Sequence, residues 1–210
     1  MTDLSEMVRS QDLWTVIRER SSVRAFSTAP IPPEAIRRAI GAAGWAPSPH
    51  GTQPWRFAVV ESREERFRLA EAMAETWRDQ LRLDGQDAEM VERRLVRSKE
   101  RLERAPILVV MCLYLGDTDS YPDAGRQDAE NIMAIQSLGA AAQNFLLALH
   151  AAGLDAGWMC APLFCPGVVR DSLGLAPTLE PHALFPVGRA AAPPRRRPRK
   201  PVDALIVSWR

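Results

Sequence analysis

The chain has few cysteines: three in 210 residues, Cys112, Cys160 and Cys165. A sparse, odd set cannot build a disulfide framework, so a reducing compartment, the cytoplasm, is expected. Histidine is equally scarce. His50, His150 and His182 stand at no ligand-like spacing from the cysteines, and no metal centre is expected. Neither sign of charge dominates. The 27 lysines and arginines balance 26 acids to a formal +1, which excludes a global field for nucleic acid or membrane and leaves room only for local positive potential. No helix-turn-helix or aromatic platform for RNA is present either. The longest apolar run, residues 107–115, is too short to span a bilayer. The first twelve residues carry Asp3, Glu6 and Asp12 with no apolar stretch among them, so no signal peptide is read there. Glycine never clusters between a strand and a helix, which rules out both a dinucleotide fingerprint and a P-loop.

What is there reads as one domain over residues 1–210, with 46% hydrophobic residues to fill a core. Asp12 precedes a helical pattern with Leu13, Val16 and Ile17 on one face. Pro33 opens a second pattern, in which Ile36, Ala39, Ile40 and Ala43 recur up to Gly44. Pro47, Pro49 and Gly51 force an irregular loop before a strand at residues 55–61. Residues 63–83 form an amphipathic helix, and residues 87–104 a highly charged one with a thin apolar stripe. Together, residues 77–104 read as a charged helical flap. A buried strand at residues 107–115 leads to the longest helical pattern, residues 123–152, apolar around so much of its circumference that it belongs in the core. Shorter strands (residues 155–161 and 182–187) flank a helix at residues 166–173. From residue 189 to 210 runs an extended arm, rich in proline and arginine, that ends in the apolar residues 202–209. That last stretch is expected to join a sheet, its own or a partner subunit's. The fold class is α+β: a small mixed sheet of four or five strands with helices on both faces around a long central helix.

Three segments carry chemistry. Residues 18–26 (RERSSVRAF) place Arg18, Arg20 and Arg24 around the hydroxyls of Ser21 and Ser22. Guanidinium forks among small hydroxyls suit a dianionic phosphate, each fork giving paired charge-assisted hydrogen bonds. The same arginines also fit a merely solvated basic edge. Residues 46–57 (APSPHGTQPWRF) form a proline-rich loop, and residues 188–201 (GRAAAPPRRRPRKP) add a second basic cluster or, on the plainer reading, a tail that binds any polyanion. No Ser-His-Asp set or carboxylate pair stands out.

Taken together, these segments resemble the nitroreductase family of FMN enzymes. Residues 18–26 are similar to its Arg-Arg-Ser-x-Arg-x-Phe signature, residues 46–57 to its Pro-Ser-x-x-Asn-x-Gln-Pro-Trp segment, and residues 197–201 stand where it carries a second phosphate-binding cluster. Residues 77–86, 121–131 and 153–159 further resemble the reductase domain that follows a glutamate ligase in deazaflavin-coenzyme synthesis; the ligase half has no counterpart here. The resemblance implies FMN as cofactor. Arg20, Ser21, Ser22 and Arg24 would hold its phosphate and ribityl end, with Arg197 and Arg199 closing over the same phosphate. Pro47, Ser48, Pro49 and Gln53 would line the ring at a homodimer interface, and the backbone of Trp158, Met159, Cys160 and Ala161 would approach its hydride-accepting nitrogen. Gly51 replaces the family's asparagine, so His50 and Gly51, with Trp77, Arg78 and Tyr121, are the substrate candidates. The implied activity is ping-pong hydride transfer from a nicotinamide donor to an organic acceptor. That acceptor is either the dehydro intermediate of deazaflavin-coenzyme synthesis or a nitro or quinone compound. A binding protein without turnover is the non-enzymatic alternative.

Overall fold

The computed structural model describes residues 12–194 and 196–210; Arg195 and the acidic stretch up to residue 11 lie outside the described residues. Helices α1 (Leu13–Glu19) and α2 (Pro33–Ala43) precede strand β1 (Trp55–Val60), and α3 (Arg63–Leu83) and α4 (Ala88–Glu103) form a hairpin before β2 (Ile107–Tyr114). The long α5 (Ala124–Ala151), the two-residue β3 (Asp155–Ala156), α6 (Pro166–Leu173) and β4 (Leu179–Gly188) complete the order. Helix boundaries follow local chemistry. Ser62, Asp87 and Asp123 cap α3, α4 and α5 by accepting hydrogen bonds from Glu65, Met90 and Arg126 amides. Pro33 opens α2, and Gly174, in the left-handed region at φ 60°, stops α6.

The four strands pair antiparallel in the order β1-β2-β4-β3. The parallel component of the sheet comes from a bridge between Ser22 and Ala156. β2 is buried along its length, and its two sets of alternate residues face two separate cores. Val109, Met111 and Leu113 join Phe185 and Val187 of β4 under α2 and α5, where Phe145 packs against Phe57 and Phe185 with ring centroids 5.8 and 5.3 Å away. Leu108, Val110 and Cys112 join Leu184 under α3 and α6. A third, small core of Ala74, Leu81, Val91 and Leu95 belongs to the α3–α4 hairpin alone. The central position of α5 agrees with its all-round apolar pattern. By length and composition it would also reach across a membrane, but here it lies as the layer over β2 and β4.

Two expectations change. The strand read at residues 155–161 ends at Ala156, and the chain regains the sheet only through the Met159–Leu184 bridge. Residues 202–209 form no strand: a short turn at Val202–Ala204 is followed by irregular chain, with Leu205, Val207 and Trp209 exposed. Prolines 193, 194, 198 and 201 remove ladder donors from the arm and hold it extended.

Residues 22–27 lie in the groove beside β3 and the exit of β4. The Val23 amide donates to Ala156 (3.0 Å), Ser27 to Arg189 (2.9 Å), and Ala191 back to Ala25 (3.1 Å). This close approach needs glycine. A Cβ at Gly188 would sit 2.7 Å from the Phe26 ring, and one at Gly157 2.7 Å from the Val23 carbonyl oxygen. Gly188→Ala is therefore expected to lower stability by about 1–3 kcal/mol through overpacking, read from urea denaturation, with part recovered on adding Phe26→Leu. His182 supplies a pH signature. Burial pushes it below its ordinary value, against the smaller opposing pull of Glu180 3.7 Å away. The unfolded chain then binds the proton first, so this contribution to stability is intact above about pH 6.5 and is lost as pH falls through that value. The urea midpoint should drop on acidification across that range, and His182→Gln should flatten the drop.

Candidate functional site

The pairing of residues 22–27 with residues 189–191 decides where the arginines go. It fixes Arg20 and Arg24 at the ends of one segment and aims the arm that follows Ala191 back over them. Arg20 is half-buried, and its pKa is lowered first by that burial and then by the facing charge of Arg199. Its Nε is buried without a hydrogen-bond partner among the described residues. The charge of Arg199 is thus felt at Arg20, whose own Nε is an orphaned donor among the described residues. An unpartnered buried donor is costly, and a dianionic group would satisfy it. Ser22 is exposed, and Ser21 donates to the Glu19 carbonyl at 3.4 Å. Arg197 is exposed in the arm. The residues present therefore fit a phosphate ester.

A further guanidinium borders this neighbourhood. Arg101, near the end of α4, has its pKa lowered by burial and then by Arg24. Sequence reasoning missed it because α4 is so densely charged that one arginine turned toward the domain does not stand out.

The proline-rich loop is a second, separate feature. His50 (φ 54°), Gly51 (φ 69°) and Gln53 (φ 48°) all lie in the left-handed region, strained for the two non-glycines by roughly 1–2 kcal/mol each. Local bonds hold the shape. The Gln53 amide donates to Ser48 Oγ (3.1 Å) and Thr52 Oγ1 to the Pro49 carbonyl (3.1 Å). Arg56 donates to the Gln53 carbonyl (2.9 Å) and pairs with Asp117 (3.1 Å), with its guanidinium 4.6 Å from the Tyr114 ring centre. Arg56 is thus a positioning residue that the motif contained unrecognised. Gln53 and Pro47 are exposed, and the Gln53 side chain is free to meet a ligand's polar edge. The turn Pro49–Gly51 packs on α5.

At the Trp158–Ala161 stretch, Trp158 stacks obliquely on Phe185 (5.7 Å). The Met159 amide donates to Leu184 (3.0 Å) and is committed to the sheet. The amides of Cys160 and Ala161 donate to no group among the described residues, so main-chain donation to a ligand falls to them. Cys160 is exposed, and no cluster of ligating side chains surrounds it among the described residues.

The substrate candidates divide. Trp77 packs on the small hairpin core and lines a cavity of about 770 Å³ that Met159 and Ala161 also line. Arg78 is taken by Glu92 (2.8 and 3.3 Å) and ties α3 to α4. His50 lies 3.9 Å from Asp119, both exposed. Tyr121 sits beneath the Arg126 guanidinium, 5.2 Å away. Neither His50, Gly51 nor Tyr121 reaches the cavity in the single chain.

Known proteins are similar to this chain in sequence and in fold. Iodotyrosine deiodinase 1 of Sus scrofa is 33% identical over 211 residues, covering 97% of this chain and 71% of its own. A BluB-like flavoprotein from Clostridium difficile 630 superposes with a TM-score of 0.78 at 23% identity, over 96% of this chain and all (100%) of its own. The FMN-dependent nitroreductase NfnB of Mycobacterium smegmatis, solved with NADPH, gives 0.74 at 22% identity over 99% and 100% of the two chains. The family model described as the nitroreductase family matches residues 17–189, from the first arginine segment to the end of β4. With its model spanning the sheet, both layers of helices and the arginine-bearing segment alike, this chain belongs to the nitroreductase family.

Proposed function

We propose that the chain is an FMN-dependent oxidoreductase. In this reading it works as a cytoplasmic homodimer by ping-pong hydride transfer from a nicotinamide donor to an organic acceptor. The observation that carries it is the buried Arg20 Nε, without a partner among the described residues, on a guanidinium that feels the charge of Arg199. FMN, when bound, supplies the chemistry: it accepts a hydride and hands two electrons to the acceptor.

The chain's own residues supply position and charge. Arg20, Arg24 and Arg199 grip the phosphate, with Arg197 closing from the arm and Ser21 and Ser22 at the ribityl end. Their net positive charge also opposes loss of the ester to water. The strained loop presents the Gln53 amide to the pyrimidine edge, with Pro47, Ser48 and Pro49 excluding water beside it. The Cys160 and Ala161 amides, which donate to no group among the described residues, would serve the hydride-accepting nitrogen of a bound flavin, where main-chain donors leave room for a donor to approach. The dimer reading is supported by apolar surface left open on single elements: Ile132 and Ile135 on α5, and Val207 and Trp209 on the arm are all exposed.

For the acceptor, likeness of residues 77–86, 121–131 and 153–159 to the deazaflavin-coenzyme reductase domain supports a dehydro intermediate of that coenzyme. A second reading, reductive removal of halide from a halogenated aromatic, is supported by relatives named iodotyrosine deiodinase 1 at 30–33% identity. Mass spectrometry after incubation under reducing conditions separates them: a gain of two hydrogens on the dehydro compound, or halide release from an iodophenol.

The purified protein should be yellow, with bound-flavin absorbance near about 450 nm that bleaches on adding a dihydronicotinamide. A colourless protein that takes up no FMN overturns the reading. Arg20→Gln should weaken FMN roughly tenfold to a hundredfold, the worth of a charge-assisted contact, while riboflavin, which lacks the phosphate, changes little. Fluorescence titration with both flavins measures the difference.

A further inference from the structure

Residues 77–104, the far end of α3 and all of α4, carry seven arginines that are sorted by their partners. Arg78, Arg82, Arg93 and Arg104 each meet a carboxylate: Glu92, Asp79, Glu89 and Glu100. The other three, Arg94, Arg97 and Arg101, stand at one face of α4 and line the cavity of about 770 Å³. None of them pairs with an acid among the described residues. Arg94 meets only the neutral amide oxygen of Gln86 (2.6 Å), and Arg101 faces another cation, Arg24. One acid, Asp84, also lines the cavity, which still leaves the lining positive.

Apart from Gln80 and Ser98, the rest of the wall is apolar. Met73 and Ala74 form its floor, and Trp77 and Phe164 supply aromatic faces. An aromatic slot edged with unpaired guanidinium groups is complementary to a flat apolar molecule with an anionic end: the rings stack and the forks bind the anion. We propose that this cavity is the acceptor pocket and that it selects a flat, apolar acceptor bearing a carboxylate, sulfonate or phosphate, its rings against Trp77 and Phe164 and its anion on Arg97 and Arg101. This rests on the proposed function, because Met159 and Ala161, which line the cavity, flank the amides assigned there to the flavin.

The test uses two naphthoquinones of similar shape, 1,4-naphthoquinone-2-sulfonate and neutral 2-methyl-1,4-naphthoquinone. Each is titrated by calorimetry into the oxidised, FMN-loaded full chain with no reductant, so that binding alone is read. The sulfonate should bind at least about tenfold more tightly. Arg97→Gln should remove most of that preference while leaving the neutral quinone within about twofold and the flavin content unchanged. Arg93→Gln, paired with Glu89 away from the cavity, should alter neither. Equal affinity for the two quinones overturns the proposal, as does loss of preference in both variants, which would mark a diffuse field. Release of FMN into the filtrate by the sulfonate also overturns it, because the cavity would then be the cofactor's own phosphate site. A protein that takes up no FMN defeats the proposed function instead, while calorimetry of that colourless protein still reads the preference.

Discussion

Everything at the site depends on one seam of main chain, where residues 22–27 are clasped between β3 and the stretch leaving β4. Hydrogen bonds from Val23 to Ala156, from Ser27 to Arg189 and from Ala191 to Ala25 fasten the beginning of the sequence to its last third. The close approach leaves no ready space for a side chain at Gly157, against the Val23 carbonyl, or at Gly188, against the Phe26 ring. The seam sets the spacing of the arginines more tightly than loops alone would, since each flanking arginine is a few residues from a fixed ladder bond. Rigid placement matters here, as a phosphate is recognised by forks already in position.

The electrostatics of the seam oppose folding locally. Arg20 against Arg199, and Arg101 against Arg24, place like charges together in partly desolvated ground. Such arrangements raise the energy of the empty chain and are relieved when an anion arrives, so ligand binding and stability are linked. The two antiparallel cores on either side of β2 carry the opposing, favourable term. Phe145, Phe185, Leu108 and their neighbours are fully buried, each worth roughly 1.5–3 kcal/mol. A fold with this much apolar burial can hold repelling cations at its edge.

Much of this was legible in the residues. Periodicity located α3 and α6 to the residue, because caps and glycines coincide with the ends of their apolar patterns, and the continuous apolar run at residues 107–115 correctly signalled a strand covered on both faces. The convergence of Arg20 with Arg199 was legible too, through the motifs at the two ends. What sequence could not show is pairing. Arg78 and Arg101 look alike in a helix of alternating charge, yet one is spent on Glu92 and the other is turned inward without an acid. Likewise Met159 reads as one of four equivalent backbone donors until the sheet claims its amide. The β-prone tail at residues 202–209 joins no strand of its own chain, because propensity without a neighbouring edge makes no strand.

The seam also has a consequence for how the protein is made. The two halves of its arginine cluster are encoded far apart, one before β1 and one after β4. A nascent chain that has already laid down β1, β2 and α5 still lacks Arg199 and the strand exit that orients it. An anion held by both halves is therefore taken up only once the sheet is complete, a seal on that sheet rather than a template around which it collapses.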